Sequence, residues 1–309
     1  MLLRAALFWG ALAGSAQADL AVITSQAAGR LTFLQTADGS LLREVDLPGQ
    51  PAAIAVSAAH VAVIAVGSRT LHLLDPAGRE VARHVFSGAP FALAFDGQSG
   101  DLLVTDAIGA GAVHRLSVPD LKPLGQMSAA ANPTGIDSDA VGWFVVAARD
   151  ADLALIYPPG CRSCSPRSVS VGHHPFGVTL HEGRAYVSNV LSDDLSVIDL
   201  QSGTEIARIP TGARPYATTF SGGRGFVSNQ YDASLTVFDA AGLKVIGEIE
   251  TADYPEGLST DSEGRVVVAA WFSDLVQIFD PNTLQMISES PVAEGPRAFG
   301  RFITLNPAP

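Results

Sequence analysis

Apolar residues in this chain come in short runs, each closed by Gly, Asp, Ser or Asn, and the runs recur on a fixed beat. After Pro175 the order is FGVTL, a turn at His181–Gly183, RAYVSN, a polar turn at Ser192–Asp194, LSVIDL, a turn at Ser202-Gly203, then EIARIP. Each run is rich in β-branched and apolar residues, which predicts four short strands. No segment sustains a 3.6-residue period for long enough to read as a helix, and Gly or Pro interrupts too often. The beat is marked by a proline that follows a polar turn and precedes an apolar run. It falls at Pro51, Pro90, Pro133, Pro175, Pro215, Pro255 and Pro296, at intervals of 39, 43, 42, 40, 40 and 41 residues. Four strands in a repeat of about 40 residues predict an all-β, seven-bladed β-propeller of four-stranded antiparallel blades.

The pattern inside each unit has a physical reason. A blade sandwiched between two neighbours loses water from both faces, so its central strands read as nearly continuous apolar runs, such as HVAVIAV (60–66) and RVVVAA (265–270), instead of alternating. One blade cannot bury its faces alone, whereas a closed ring buries them all. The ends supply a closing device. Only one strand, RAFGRFITL, remains after Pro296, and three strands, LAVITS, RLTFLQ and LLREVDL, precede Pro51 without an inner partner. The expectation is one blade shared between the termini, with the last strand innermost and the first three outside it.

Two copies are close in wording. GRAYVSNVLSDDLSVIDLQSG starts at Gly183 and GRGFVSNQYDASLTVFDAAG at Gly223, with a fainter GRVVVAAWFSDLVQIFD from Gly264. These segments resemble YVTN-type β-propeller repeats, specifically over about residues 172–294. Before that, LLVTDA (102–107) and WFVVAARD (143–150) keep the pattern and lose the Asn. Propellers that share such repeats include extracytoplasmic binding proteins of unknown ligand, the heavy subunit of amine dehydrogenases and the haem-carrying propeller of cytochrome-type nitrite reductases. The resemblance therefore implies a fold and leaves the function open.

Composition narrows the setting. Of 309 residues 47% are hydrophobic and 16% charged, enough to bury a large core. The start, MLLRAALFWGALAGSAQA, has Arg4, a short apolar run and small residues ending at Ala18. That is the pattern of a cleaved signal peptide over residues 1–18, leaving residues 19–309 as a single propeller domain in a periplasmic or secreted setting. The apolar run is too short for an anchor, and Gly, Pro or charge breaks every later one, so no membrane span is expected. The net charge of −12, with Lys122 and Lys244 the only lysines, argues against nucleic acid as a partner.

Cys161 and Cys164 are the only cysteines, in PPGCRSCSPRS. Ser165 stands where a covalent c-type haem would need His, and no further zinc ligands are adjacent. In an oxidising compartment a small-loop disulfide is expected, with a redox-active dithiol as the sharper alternative.

Strand order also assigns candidate chemistry to one face. In an up-and-down blade the entry loop and the middle hairpin lie on the same side of the disc. Near the axis that side carries His174, Arg214, Tyr216, Tyr254, Glu256 and Arg297; further out it carries Trp271 and Phe272, beside Asn189, Asp193, Asp194, Asn229, Tyr231, Asp232 and Asp274. Large aromatic surfaces and forked Arg donors suit a pocket or a protein interface. The opposite side shows small turns, such as Asp96–Gly100 and Ser221–Gly223.

Plainer roles stand beside these. Asn189 and Asn229 read first as turn residues bonding their own backbone, and the acidic loops as solvated surface more than calcium sites. His173 and His174 are weak metal or haem candidates, since adjacent histidines on an extended segment do not chelate together easily. Glu256 alone is a weak general base. No nucleophile elbow, P-loop or dinucleotide fingerprint is present, and no cofactor is required. The sequence thus favours a non-enzymatic module that binds an unidentified periplasmic protein or small molecule through its loop face. The alternative is a redox-associated propeller, either an amine dehydrogenase-like subunit or one holding a haem-like cofactor non-covalently through His174.

Overall fold

Strands with exposed and half-buried positions on the rim and buried positions further in form seven sheets, as shown by a computed structural model that describes residues 19–108 and 111–304. The expected signal peptide lies outside these residues. Blades are numbered here in chain order. Blade 1 holds Leu20–Ser25, Arg30–Gln35 and Leu41–Asp46. Blades 2 to 7 begin with inner strands Pro51–Val56, Pro90–Phe95, Pro133–Ser138, Pro175–His181, Pro215–Ser221 and Pro255–Thr260, and each continues outward through three consecutive strands. Central strands such as Val61–Ala65, Phe144–Ala148 and Val266–Ala270 are buried along their whole length. Outermost strands such as Glu80–Val85 alternate exposed and half-buried positions, because only the rim meets water. The core lies between blades: Phe33, Leu31, Val267 and Ile278 form part of one cluster that bridges blades 1 and 7.

The ring is closed by the chain ends, with one departure from expectation. The segment after Pro296 is not one strand. Phe299–Gly300 pairs parallel with the inner strand of blade 2, Phe299 opposite Ala53 and Gly300 opposite Ile54. Ile303–Thr304 then pairs antiparallel with Leu20–Ser25 and becomes the inner strand of blade 1. The break has a cause in Gly300. Its φ of 121° is rarely open to a side chain, and a Cβ there would collide with the Ile54 carbonyl. The chain can therefore bend from one blade to the next. Thr24 fastens the junction, accepting from Ala298 N at 2.8 Å and donating to Ala52 O at 2.9 Å.

The start of each inner strand follows one rule. The second residue after the proline is Ala53, Ala92, Gly135, Gly177, Ala217 or Gly257, because its Cβ position faces the backbone of the next blade. A Cβ on Gly135 or Gly177 would strike the carbonyl of Phe176 or Tyr216, and one on Gly257 would sit 2.7 Å from Arg297 O. The first residue after the proline sends its side chain toward the axis. Phe91, Phe176 and Tyr216 meet Phe299 there, with ring centroids 6.0, 5.3 and 5.2 Å away. These rings plug the axis near the loop face.

Candidate functional site

The loop face is built on turns that hold a side chain in a costly backbone conformation. Asn132, His174, Arg214 and Tyr254, each just before an anchor proline, have φ between 52° and 62°. Left-handed backbone costs an L-residue about 1 kcal/mol, and glycine would sit there freely. The turns are held by carboxylates from the preceding blade. Asp152 accepts from His174 N at 2.8 Å, Asp193 from Arg214 N at 2.9 Å, and Asp274 from Gly295 N at 2.8 Å. The acidic loops thus serve the turns. Asp194 is likewise engaged, by Asn189 Nδ2 at 2.6 Å.

Asn189 and Asn229 differ from expectation. Both are fully buried and donate to side chains of the following strand, Asn229 to Ser234 and Thr236 at 3.0 Å each, and not to their own backbone. The reason is steric. Gly172 and Gly212 pack directly against these amides, so the Asn side chains prop the entry turns from beneath.

The candidate residues fall into three groups. Tyr216 and Glu256, both buried, form a network with half-buried Trp271 and Arg297. Arg297 Nε lies 3.1 Å from Glu256 Oε2, its Nη2 donates to Tyr216 Oη at 2.8 Å, and its guanidinium sits 5.4 Å from the Trp271 ring centroid. Gln230, which the sequence reading passed over, donates to Glu256 Oε1 at 2.9 Å. Burial pushes the Glu256 carboxyl up to about 7, against the pull of Arg297 and Gln230.

Tyr254 and Phe272 join Tyr231 and Arg214 in a second group at the surface. Tyr254 lies 4.5 Å from Phe272 and 5.6 Å from Tyr231, and Arg214 stands 5.3 Å over the Tyr231 ring. Burial, followed by Tyr231, pushes the Tyr254 hydroxyl up to about 12. His173 and His174 stand apart. His173 is exposed and pairs with Asp152 at 2.8 Å, while burial, then Arg149, holds the His174 imidazole below its usual range. Among the described residues no group of three or more His, Cys, Asp or Glu is arranged for a metal ion.

The rim of this face is apolar where a solvated loop has no need to be. Leu191, Tyr231 and Phe272, each two residues past the second strand of blades 5, 6 and 7, are 52%, 63% and 68% exposed. Ile108 repeats the position in blade 3. Leu191 and Ile108 were not singled out from sequence, although counting two residues beyond each second strand would have found them. A cavity of about 340 Å³ opens among Val66, Arg69, Ala89, Phe91 and Arg297.

The larger cavity, about 690 Å³, lies on the opposite face, where the inner strands end. Its walls include Asp137, His181, Phe220 and Arg301, none of them among the residues favoured from sequence. Arg301 donates to Asp137 from Nε at 3.0 Å and from Nη2 at 2.7 Å, and Asp137 also accepts from Leu180 N at 2.8 Å. The sequence did carry a signal: Asp137 is the one charge in the inner-strand segment PTGIDS, and Arg301 interrupts the closing run AFGRFITL.

Near the rim of blades 3 and 4, Cys161 and Cys164 form the expected disulfide. Arg115, almost fully buried, reaches Asp96 at 2.6 Å, Asp101 at 3.1 Å and Cys161 O at 3.0 Å. No helix of the described residues is long and apolar enough to cross a membrane.

Ring, plug and loop face together define a seven-bladed β-propeller. Solved structures similar to it include the following three. A functionally unknown protein from Desulfotomaculum acetoxidans DSM 771 superposes with a TM-score of 0.77 at 13% identity, over 90% of this chain and 98% of that one. Kuenenia stuttgartiensis hydrazine synthase gives a TM-score of 0.72 at 16% identity, over 82% and 90%. Dihydro-heme d1 dehydrogenase NirN, in complex with DHE, gives 0.66 at 18% identity, over 89% of this chain and 64% of that one. At these identities the likeness is one of fold. No protein-family model and no curated protein matches the chain.

Proposed function

We propose that this protein is an extracytoplasmic, non-enzymatic propeller of the YVTN repeat type that binds a partner protein through its loop face. The observation that carries the reading is the apolar rim: Leu191, Tyr231 and Phe272 stand exposed at one repeat position on three consecutive blades. Their neighbours Arg214 and Tyr254 occupy backbone that glycine would hold more cheaply. Exposed aromatics beside Arg, over a rigid buried floor, are the composition of an interface centre. The disulfide agrees with an oxidising compartment.

The test compares the wild type with two variants, Leu191→Ala/Tyr231→Ala/Phe272→Ala and Arg214→Gly, as baits for envelope protein from the native source. The wild type should retain a defined partner. Both variants should lose it by about tenfold or more in affinity, as for truncated interface anchors, while Arg214→Gly melts at or above the wild-type temperature. Equal retention by the triple variant, or no specific partner at all, would refute the reading.

A second reading, a redox-associated propeller holding a haem-like group through His174, is favoured by the likeness to two propellers with redox-related names. It requires a visible absorbance band from the protein isolated in its native envelope, or on adding haem, that His174→Ala abolishes. A colourless protein unchanged by haem dismisses it.

A further inference from the structure

We infer that the large cavity on the face opposite the loops, a funnel between the inner strands, binds a neutral sugar. About 690 Å³ falls within the range of small-molecule pockets. The ligand class follows from how the chemistry is spread around the ring. The fourth residue after the anchor proline lines the funnel in blades 2 to 7, and its character changes from one side to the other. It is alanine in blades 2 and 3 (Ala55, Ala94), Asp137 in blade 4, and a hydroxyl residue in blades 5, 6 and 7 (Thr179, Thr219, Ser259). The hydroxyl residues are half-buried, so a guest can reach them.

This polar arc has hydrogen-bonding capacity to spare. Thr179 Oγ1 donates to Thr218 O at 2.8 Å and can still accept. Thr219 and Thr260 share one hydrogen bond at 2.6 Å, which leaves one hydroxyl proton and further lone pairs unused. Ser259 Oγ has no hydrogen-bond partner among the described residues. Asp139 takes the N–H groups of Val141, Gly142 and Trp143 on Oδ1 alone, so Oδ2 remains an acceptor. Arg301 binds Asp137 through Nε and Nη2, which leaves Nη1 as a donor.

The charges disfavour an ion. Asp137 is matched by Arg301, and Asp261 by Arg265 at 2.7 Å. His181, stacked on Phe220 at 4.0 Å, is held below its usual range by burial and adds no positive charge at pH 7. The charge left over belongs to Asp139. It repels an anion, while the three N–H dipoles of its own turn blunt its pull on a cation. A sugar ring suits both sides. Its hydroxyls give and accept along the polar arc, and its C–H face lies against the alanine arc.

Calorimetric titration of the full chain tests this with glucose, galactose and mannose, each beside its uronate and its 2-amino sugar, and with cyclohexanol as a ring bearing one hydroxyl. At least one neutral sugar should bind, about tenfold or more tighter than cyclohexanol, as two additional hydrogen bonds imply. Its uronate and its amino sugar should bind no more tightly than the parent. Thr219→Val/Ser259→Ala, which keeps side-chain shape and removes two hydroxyls, should lose about tenfold for that sugar and leave cyclohexanol unchanged, with a melting temperature near that of the wild type. The triple loop-face variant above should bind the sugar as the wild type does, which separates this site from the interface. No binding by any of the three sugars, equal affinity for cyclohexanol, a tighter uronate or amino sugar, an unaffected double variant, or loss in the loop-face variant would each overturn the inference.

Discussion

Gly177 offers the sharpest stability test of how the inner strands meet. Replacing it with alanine adds one methyl group where a Cβ would collide with the Tyr216 carbonyl, far inside the 3.0 Å that real Cβ atoms keep from backbone. Neither strand can yield cheaply. Thr179 Oγ1 donates to Thr218 O across the same seam at 2.8 Å, and Tyr216 is fixed by Arg297 and two aromatic neighbours. Overpacking of this kind costs about 2–3 kcal/mol. At about 2 °C per kcal/mol for a domain of this size, the melting temperature should fall by about 4–6 °C. Gly247→Ala is the control. Its new methyl would stand 3.7 Å from Leu284 Cδ1, an ordinary contact. Reduced freedom of the unfolded chain should then leave it unchanged or raise stability by up to about 1 kcal/mol. Differential scanning calorimetry of both variants decides the matter. Equal melting temperatures for Gly177→Ala and the wild type would show that the strands are not held at contact.

Two further outcomes follow from buried charge. Glu256, raised from 4.5 to about 7, binds a proton in the folded state that the unfolded chain has released, so its contribution to stability falls as pH rises from about 4.5 to about 7. Glu256→Gln should remove up to about 3 kcal/mol of that slope, read as a gap between variant and wild-type melting temperatures that shifts in the variant's favour from pH 5 to pH 8; a constant gap would contradict it. Arg115→Met takes the guanidinium away from buried Asp96 and from Asp101 and should cost about 3–5 kcal/mol by urea denaturation. A loss under about 1 kcal/mol would mean that water replaces the guanidinium.

The architecture was legible because its causes are repeated. Each proline precedes an axis-facing side chain and then a small residue, and each central strand is buried on both faces, so the motif survives sequence drift. The break at Gly300 was not legible, since a glycine in an apolar run says nothing about which neighbour it approaches. The loop-face network was partly legible: Tyr216, Glu256 and Arg297 share the position after their prolines and do meet. Gln230 was hidden, because its role depends on a contact with Glu256, 26 residues away in the chain. The funnel escaped for a different reason. Its chemistry sits inside strands at Asp137 and Phe220, and at Arg301 between the two closing strands, whereas the turns around them are indeed small.

The aromatic plug makes the disc a two-sided object, with Phe299 lining a cavity on each face. Occupants of the two faces would be parted by a single layer of rings and would not compete for space.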